Sequence, residues 1–252
     1  LDTAQKLYEE KLTTYPRSDA EYLPVSQHKD APKILGNLAA LDGSELSAWA
    51  READAKQKSR AWNDAKISAH HAIIPTTVPV NLARLSEMER NIYGLIARAY
   101  IAQFHPNYVY DQTKVEVTYH GELFAASGRT ERAAGWRAMY RTGKSETEDA
   151  EKEDEESAVL PPMKKGDAAN YVSADLSTSQ TKPPSRFTPA TLLQGMKEIH
   201  KYVKDEAAKK MLRDVSGIGT EATRASIIED LIRRKFLHAA GKKKVLTPTA
   251  EA

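Results

Sequence analysis

Residues 86–125 (SEMERNIYGLIARAYIAQFHPNYVYDQTKVEVTYHGELFA) hold the clearest fold signals in the chain. Ser86 and Glu89 have the spacing of a capping box, in which two side chains satisfy backbone N–H groups at the start of a helix. A helix is therefore predicted from this point. Its apolar residues recur at helical spacing and are expected to share one buried face: Ile92, Leu95, Ile96, Ala99 and Tyr100.

A β-hairpin is predicted directly after this helix. Val115, Val117 and Tyr119 alternate with polar residues, which is the period of a half-buried strand. The dipeptide His-Gly at 120–121 favours a tight turn, and residues 123–125 (Leu-Phe-Ala) can return the chain as a second strand. A long helix followed by an antiparallel hairpin predicts an α+β protein.

The last quarter of the chain predicts helices followed by a short basic hairpin. Apolar residues recur at helical spacing over 189–203 and 221–235, and residues 205–213 (DEAAKKMLR) also read as a helix. Residues 238–247 follow, with Gly241 and three lysines at 242–244 at the expected tip. Helices that lead into such a tip are typical of a winged-helix-like domain.

The charge of the chain is unevenly distributed. The 252 residues carry 37 Lys and Arg against 35 Asp and Glu, a net charge of +2. Residues 144–156 (KSETEDAEKEDEE) contain eight acidic and two basic side chains, so an acidic, solvated insert is expected at 144–158. Residues 187–252 contain 13 basic and eight acidic side chains. The near-neutral total therefore does not argue against a nucleic-acid partner.

Two proline pairs, at 161–162 and 183–184, bracket a polar stretch without a long apolar period, so a boundary region is predicted at about 144–186. We predict a multidomain α+β protein. Its parts are a mainly helical domain at 1–105, a β-rich segment with the acidic insert at 106–180, and a helical, winged-helix-like domain at 181–252.

Composition excludes several classes of protein and site. The chain has no Cys, which excludes disulfides, a thiol nucleophile and Cys-ligated zinc or iron–sulfur within it. No apolar run approaches the ~18–20 residues that span a bilayer. No signal peptide is visible either. We therefore expect a cytoplasmic protein without a membrane partner.

The sequence TTYPRSD around Tyr15 is the first chemically suggestive stretch. Pro16 disfavours the α region for Tyr15, which is therefore expected on an extended segment with Arg17 on the same side. Ser18 and Glu21 have capping-box spacing, so a helix N-terminus suited to a phosphate is predicted at Ser18. A Tyr nucleophile has a pKa of about 10 and needs a cationic neighbour or a base. The same residues also fit a structural Tyr beside a surface Arg.

The adjacent histidines His70 and His71 are the second candidate. Neighbouring side chains point to different sides of a strand or helix, and no HExxH motif is present, so a metal site is not expected here. A His beside a phosphate can donate a hydrogen bond and stabilise charge on a transferring group. Taken alone, the pair fits one core His and one surface His better.

The sequence GIGTEA at 217–222 matches the dinucleotide-binding pattern GxGxx[GA]. That pattern requires a preceding strand, whereas residues 205–213 predict a helix, so we reject it. We expect instead a glycine turn that opens the helix at 221–235, with Thr220 as its N-cap, where a phosphate can bind. An ordinary connection between two helices is the other interpretation.

The chain resembles the type IA DNA topoisomerases, and most closely the bacterial topoisomerase III branch. The resemblance covers nearly the whole chain, and ordered matches are much harder to obtain by chance than a single motif. It rests on six stretches in the family's order: TTYPRSDAEYLP (13–24), AWNDAKISAHHAIIPT (61–76), RAYIAQFHPNYVYDQTKVEV (98–117), ASGRTERAAGWRAMY (126–140), TKPPSRFTPATLL (181–193) and LRDVSGIGTEATRASIIEDLIRRKFL (212–237).

The resemblance implies that Tyr15 attacks a phosphodiester in single-stranded DNA and forms a 5′-phosphotyrosine with a free 3′-hydroxyl. Another strand then passes and the break is religated, which relaxes or decatenates DNA. Arg17 would position Tyr15 and the phosphate, and His70 would contact the DNA. Residues 106–180 would belong to the family's arch domain, and 181–252 to the domain that cradles DNA. The further implied DNA contacts are Ser18, Lys66, His71, Thr220, Thr223 and Arg224.

The resemblance also bears on cofactors and partners. In this family a toprim domain upstream of the Tyr motif binds Mg²⁺, and no paired-acid site of that kind is visible here. We therefore expect a fragment that does not cleave DNA without the upstream domain. No ATP is needed, because the phosphotyrosine conserves the bond energy, and no zinc site is expected. The implied partner is DNA, mainly single-stranded, and the protein is expected to be a monomer associated with nucleoid or plasmid DNA.

Two other functions were weighed from the same residues. A non-catalytic single-stranded DNA-binding module, centred on the basic residues 187–252, would bind in a salt-dependent way that Tyr15→Phe leaves unchanged. A tyrosine recombinase would place HxxR upstream of a Tyr near its C-terminus. None of the seven His begins an HxxR motif, so the recombinase is set aside.

Overall fold

A computed structural model describes residues 2–18, 20–41, 43–67, 70–141, 160–161, 163–181, 183–215 and 217–251. The chain divides into two compact units, Leu1–Ala174 and Asp175–Ala252. Each combines helices with a two-stranded antiparallel sheet, so the predicted α+β class is confirmed. The predicted acidic insert at 144–158 lies outside the described residues. Among those described, no helix is long and apolar enough to cross a membrane.

The first unit is built from helices joined by short 3-10 turns. The longest helix begins as predicted, because Ser86 and Glu89 form the capping box. The α-helices are α1 (Asp2–Glu9), α2 (Ala31–Ala39), α3 (Glu45–Glu52) and α4 (Glu87–Ile101). The 3-10 turns are Val25–Asp30, Asp64–Lys66, Leu82–Arg84, Ala102–Phe104 and Gly135–Tyr140.

The buried face of α4 differs from the prediction. The helix buries Tyr93, Ala97, Tyr100 and Ile101, whereas Leu95 is 64% exposed. Of the predicted face, Ala99 is also exposed, Ile92 and Ile96 are half-buried, and Tyr100 is buried. Two stripes with helical spacing competed for the core. The stripe with two aromatic rings lies inside, because each ring buries a larger apolar area.

The predicted hairpin follows α4 and is longer than the sequence indicated. Strands β1 (Val109–Tyr119) and β2 (Glu122–Ala133) pair antiparallel along their whole length. His120 (φ 49°) and Gly121 (φ 86°) form the two-residue turn, and two positive φ values match the twist of the strands. Most hairpin side chains are exposed on both faces, so the strands are less buried than their alternation predicted.

The second unit contains the predicted helices and terminal hairpin. Gly241 and the three lysines at 242–244 form the turn between its strands, as expected. Residues 160–161, 163–181 and 183–188 hold no helix or strand, in agreement with the predicted irregular stretch. The elements are α5 (Pro189–Lys197), α6 (Glu206–Asp214), α7 (Glu221–Arg233), β3 (Leu237–Ala240) and β4 (Val245–Pro248).

Helix α5 is shorter than the predicted helix over 189–203. The loop before α7 covers its C-terminus, because the Ile218 N–H donates to the Met196 carbonyl at 3.1 Å. Gly217 packs against the same carbonyl, and a Cβ at this position would lie 2.3 Å from it. The loop thus caps α5, and the chain continues as a 3-10 turn, Ile199–Tyr202.

Candidate functional site

Backbone pairing places Tyr15 near the two histidines. The Thr14 N–H donates to the Ile74 carbonyl at 2.9 Å, and the Ile74 N–H donates to Thr14 Oγ1 at 3.0 Å. The Thr76 N–H donates to the Leu12 carbonyl at 3.1 Å. These antiparallel bonds tie the segment before Tyr15 to the segment after the histidines. Residues 58 or more positions apart along the chain thereby become neighbours.

Tyr15 and His70 are in contact. Their ring centroids are 4.7 Å apart and their planes are inclined by 41°. Tyr15 is half-buried and His70 is exposed. Tyr8 of α1 makes a perpendicular contact with the Tyr15 ring, with centroids 5.6 Å apart. Two rings therefore contact the phenol, and no local pattern in the sequence predicts the contact from Tyr8.

Arg17 is exposed and makes no hydrogen bond or ion pair within the described ranges. The prediction that a helix begins at Ser18 is wrong, because the first helical turn after Ser18 is the 3-10 turn Val25–Asp30. Ser18 Oγ donates instead to the His71 carbonyl at 2.7 Å and accepts from the Ala20 N–H at 3.2 Å. Pro24 disfavours a helix in the residues before it. Arg17 is therefore the cationic group next to Tyr15, without a helix N-terminus.

His71 is bound within the protein. Its Nδ1 lies 2.7 Å from the Ala72 carbonyl oxygen, and its Nε2 lies 3.0 Å from Nε2 of Gln27. A carbonyl only accepts, so Nδ1 carries the proton and Nε2 accepts from the Gln27 amide. This arrangement anchors the His71 ring to the 3-10 turn Val25–Asp30. The His70 ring faces Tyr15 instead.

Lys66 lies on the same part of the first unit. Its Nζ donates to the Tyr22 hydroxyl at 2.9 Å and lies 4.7 Å from the centroid of the Tyr22 ring. The Tyr22 carbonyl accepts from the Ala72 N–H at 2.8 Å, which joins this pair to the histidine segment. An ammonium has three donors, so Lys66 can hold Tyr22 and a phosphate at the same time.

An ion pair fixes α1, the helix that carries Tyr8. Lys6 Nζ lies 2.5 Å from Glu89 Oε1, and Glu89 is 4% exposed. The same carboxylate accepts from the Ser86 N–H at 2.7 Å and from Ser86 Oγ at 2.8 Å. The bond from Lys6, followed by those from Ser86, lowers the pKa of Glu89 to about 2. The pair attaches α1 to the N-terminus of α4.

In the second unit a loop precedes α7. Arg224 is 2% exposed, and its guanidinium donates to the carbonyls of Ile218 (2.9 Å) and Gly219 (3.1 Å). Thr220 is the N-cap of α7, as predicted, and its N–H donates to Thr223 Oγ1 at 2.9 Å. Both threonines are exposed. The loop is thus held from inside by Arg224 and presents the two threonines to solvent.

The described residues hold no group of three or more His, Asp or Glu side chains placed to bind a metal ion. None of the candidate residues supplies a carboxylate, so they do not fit the Mg²⁺ that the resemblance implies. They supply a phenol, a guanidinium, an ammonium and two imidazoles. These groups suit a phosphate, which takes hydrogen bonds and positive charge.

Comparison with known proteins gives one consistent result. A family model described as DNA topoisomerase matches residues 1–252. The DNA topoisomerase 3 of Vibrio cholerae is 39% identical over 249 residues, which cover 98% of this chain and 37% of the relative. That of Haemophilus influenzae is 41% identical over 265 residues (99% and 37%), and that of Bacillus subtilis 38% over 257 residues (98% and 34%). The chain therefore spans little more than a third of the length of these curated relatives.

Proposed function

The chain belongs to the DNA topoisomerase family, and on that premise we propose that the protein is a type IA enzyme of the topoisomerase 3 kind. It cleaves one DNA strand, passes another strand through the break and religates it. The Tyr15 phenol oxygen forms a bond to phosphorus while the bond from phosphorus to the 3′-oxygen breaks. The phenol proton is released and the 3′-oxygen gains one, which leaves a 5′-phosphotyrosine and a 3′-hydroxyl. Religation is the reverse reaction and needs no ATP.

The contact between Tyr15 and His70 carries this proposal. Cleavage needs a nucleophile held in place next to groups that bind the phosphate. The Tyr15 ring contacts the rings of Tyr8 and His70, and Arg17 follows two residues later as an exposed residue. We assign nucleophilic attack to Tyr15, phosphate binding to Arg17, and a hydrogen bond to the phosphate to His70.

The remaining site residues divide by what they contact. Lys66, Thr220 and Thr223 are exposed, which supports direct contacts with the DNA backbone. Ser18, His71 and Arg224 hydrogen-bond to the protein itself. We propose that these three contribute to DNA binding by holding the segments that carry the direct contacts.

The candidate residues supply no carboxylate, so we assign no Mg²⁺ ligand among them. The substrate we propose is DNA in single-stranded form. Half-exposed rings beside guanidinium groups are the chemistry that binds unstacked bases and phosphates. We also propose a monomer that works in the bacterial cytoplasm on chromosomal or plasmid DNA.

For the finer architecture we propose the three parts expected from the sequence, 1–105, 106–180 and 181–252. The order of α6, α7 and a hairpin with lysines at its tip supports a winged-helix-like third part. Its basic tip and the N-terminus of α7 would face the DNA backbone.

The experiment is a covalent trapping assay on the complete protein that contains this chain. A 5′-labelled and a 3′-labelled single-stranded oligonucleotide are incubated with it and the reaction is stopped with detergent. Tyr15 attack predicts a protein adduct with the 3′-labelled fragment alone, since the phosphotyrosine is on the 5′ end of that fragment. Tyr15→Phe should abolish the adduct, and Tyr202→Phe, a change at an exposed Tyr of the second unit, should not. An adduct that persists in Tyr15→Phe would disprove the assignment.

A further inference from the structure

We propose that the first unit carries a second binding surface for single-stranded DNA, at the base of the β1–β2 hairpin. It rests on the proposed function in one respect, that DNA is the substrate. We call it the aromatic–arginine surface, and it consists of Tyr108, Tyr110, Arg129, Trp136, Arg137 and Tyr140. Within the described ranges, its rings make no contact with the rings of Tyr15 or His70.

Two cations flank two rings along one edge of this surface. The Arg137 guanidinium carbon lies 4.6 Å from the centroid of the Tyr108 ring, and that of Arg129 lies 5.1 Å from the centroid of the Tyr110 ring. The Tyr108 and Tyr110 centroids are 5.2 Å apart. The order is therefore Arg137, Tyr108, Tyr110, Arg129. Each guanidinium thereby places positive charge beside an aromatic ring, which is the combination that binds a phosphate next to a base.

A second pair of rings belongs to the same surface. Trp136 and Tyr140 make a perpendicular contact with centroids 5.7 Å apart, and they are 39% and 43% exposed. The Arg98 guanidinium lies over the Tyr140 ring, 5.8 Å from its centroid, so the exposed part of the Trp136 ring is the surface on which a base can stack. Such stacking tolerates any sequence.

The backbone is built to hold these groups together. The Trp136 N–H donates to the Pro106 carbonyl at 2.9 Å, which joins the 3-10 turn Gly135–Tyr140 to the segment before β1. Gly135 has φ 50°, and a Cβ there would lie 2.3 Å from the Asn107 carbonyl oxygen. Only glycine fits so close to that backbone. The close approach places Arg137 beside Tyr108.

Charge and exposure identify the occupant. Two carboxylates lie at this edge, Glu131 paired with Arg141 and Asp111 paired with Arg132, against four arginines, so the edge keeps a net positive charge. The rings and the guanidinium groups then match the two components of a single strand, its bases and its phosphates. A duplex keeps its base faces stacked inside, so it cannot use the Trp136 face. The surface thus suits single-stranded DNA outside the segment held at Tyr15.

The test is photo-crosslinking with the complete protein in its Tyr15→Phe form, which binds without cleaving. A dT oligonucleotide with 5-iodouracil at defined positions is bound, irradiated and digested, and the crosslinked peptides are identified by mass spectrometry. We expect crosslinks at Trp136 or Tyr110. An excess of unlabelled single strand should remove them, and an equal mass of blunt duplex should not. Crosslinks found only outside residues 106–141 would overturn the proposal.

Affinity provides the second measurement, by fluorescence anisotropy of a labelled dT oligonucleotide. Loss of one stacked base costs about 1–3 kcal/mol, so Trp136→Ala should weaken binding about 5- to 150-fold. Trp136→Phe should keep most of the affinity, since a flat ring remains. The matched control is Tyr119→Ala, which removes a 44% exposed ring at the other end of the same hairpin. Equal affinity of Trp136→Ala and Tyr119→Ala, with unchanged melting temperatures, would contradict the proposal.

These results separate the two proposals. If the Tyr15 enzyme forms its adduct but Trp136 and Tyr110 give no crosslink, only the second surface is disproved. If neither an adduct nor any DNA crosslink forms, the proposed substrate is disproved as well.

Discussion

At the scale of single residues, the reactivity of Tyr15 depends on how well its ring is held. A Tyr on an irregular segment can rotate about two side-chain bonds, and most of those positions point its oxygen away from a phosphate. Tyr8 and His70 both contact the Tyr15 ring and restrict this rotation. On the proposed mechanism Tyr8 is a positioning residue, because it touches Tyr15 and supplies no reacting atom.

We predict that Tyr8→Ala lowers the rate of DNA cleavage about 10- to 100-fold, the range expected when a reacting group is misplaced by about 1 Å. The oligonucleotide dissociation constant should change little, since Arg17 and Lys66 are untouched. Single-turnover cleavage and fluorescence anisotropy measure the two quantities. Tyr8→Phe keeps the ring and should keep the rate. If Tyr8→Phe is as slow as Tyr8→Ala, the loss of rate comes from the missing hydroxyl and not from the missing ring contact.

Some site residues could be predicted from the sequence and others could not. The family resemblance implied Tyr15, Arg17 and His70 as site residues, since their motifs alone also fitted structural roles, and the structure brings the Tyr15 and His70 rings into contact. Tyr8 was not found, since its contact with Tyr15 depends on where α1 packs. The capping spacing at Ser18 was misleading, because Ser18 Oγ bonds to the His71 carbonyl, 53 positions away. Long-range hydrogen bonds of this kind have no local sequence signal.

At the scale of elements, the position of α1 depends on one ion pair. Lys6 binds the Glu89 carboxylate that also caps α4, and these bonds lower the pKa of Glu89 to about 2. In an unfolded chain a Glu has a pKa of about 4.3. A lowered pKa in the folded state adds stability above the unfolded value, and that stability is lost as pH falls toward the folded value.

We therefore predict that the free energy of unfolding falls between about pH 4.5 and pH 2, and that Glu89→Gln removes this part of the pH dependence. Urea unfolding across that range measures it. Glu87→Gln is the control, since Glu87 lies in the same first turn of α4 but is exposed. Equal pH profiles for Glu89→Gln and Glu87→Gln would contradict the role given to the Lys6 pair.

Elements were predicted best where local rules and tertiary packing agree. The capping box at Ser86 and the His120-Gly121 turn satisfy their own backbone groups, so both are present where predicted. The prediction of which face of α4 is buried was wrong, because periodicity alone does not choose between two apolar stripes. Helix α5 ended early, because the loop at Ile218 caps it from a distance. In each failure a contact distant in sequence decided the outcome.

At the scale of the whole molecule, the two units differ in how much apolar surface they bury. The main buried apolar cluster, which includes Tyr93, Tyr100 and Phe104, lies entirely in the first unit. In the described part of the second unit, the buried apolar side chains are Ile228 and Leu246. Local stability follows buried apolar contacts, so the second unit should open more often. We predict that amides of α7 exchange about 100-fold faster with deuterium than those of α4, relative to their intrinsic rates.

The same exchange experiment tests whether the loop before α7 contacts DNA. Arg224 holds this loop from inside, so local unfolding of α7 would separate Thr220 from Thr223 and end the strand contacts that we propose for them. A ligand that binds only the closed state suppresses opening by the factor 1 + [L]/Kd, about 100-fold at a free oligonucleotide concentration 100 times Kd. We therefore expect single-stranded DNA to slow exchange in α7 by about that factor and to leave α4 unchanged. Thr220→Ala with Thr223→Ala should reduce this protection. Saturating DNA that leaves the exchange of α7 unaltered would show that the strand binds elsewhere.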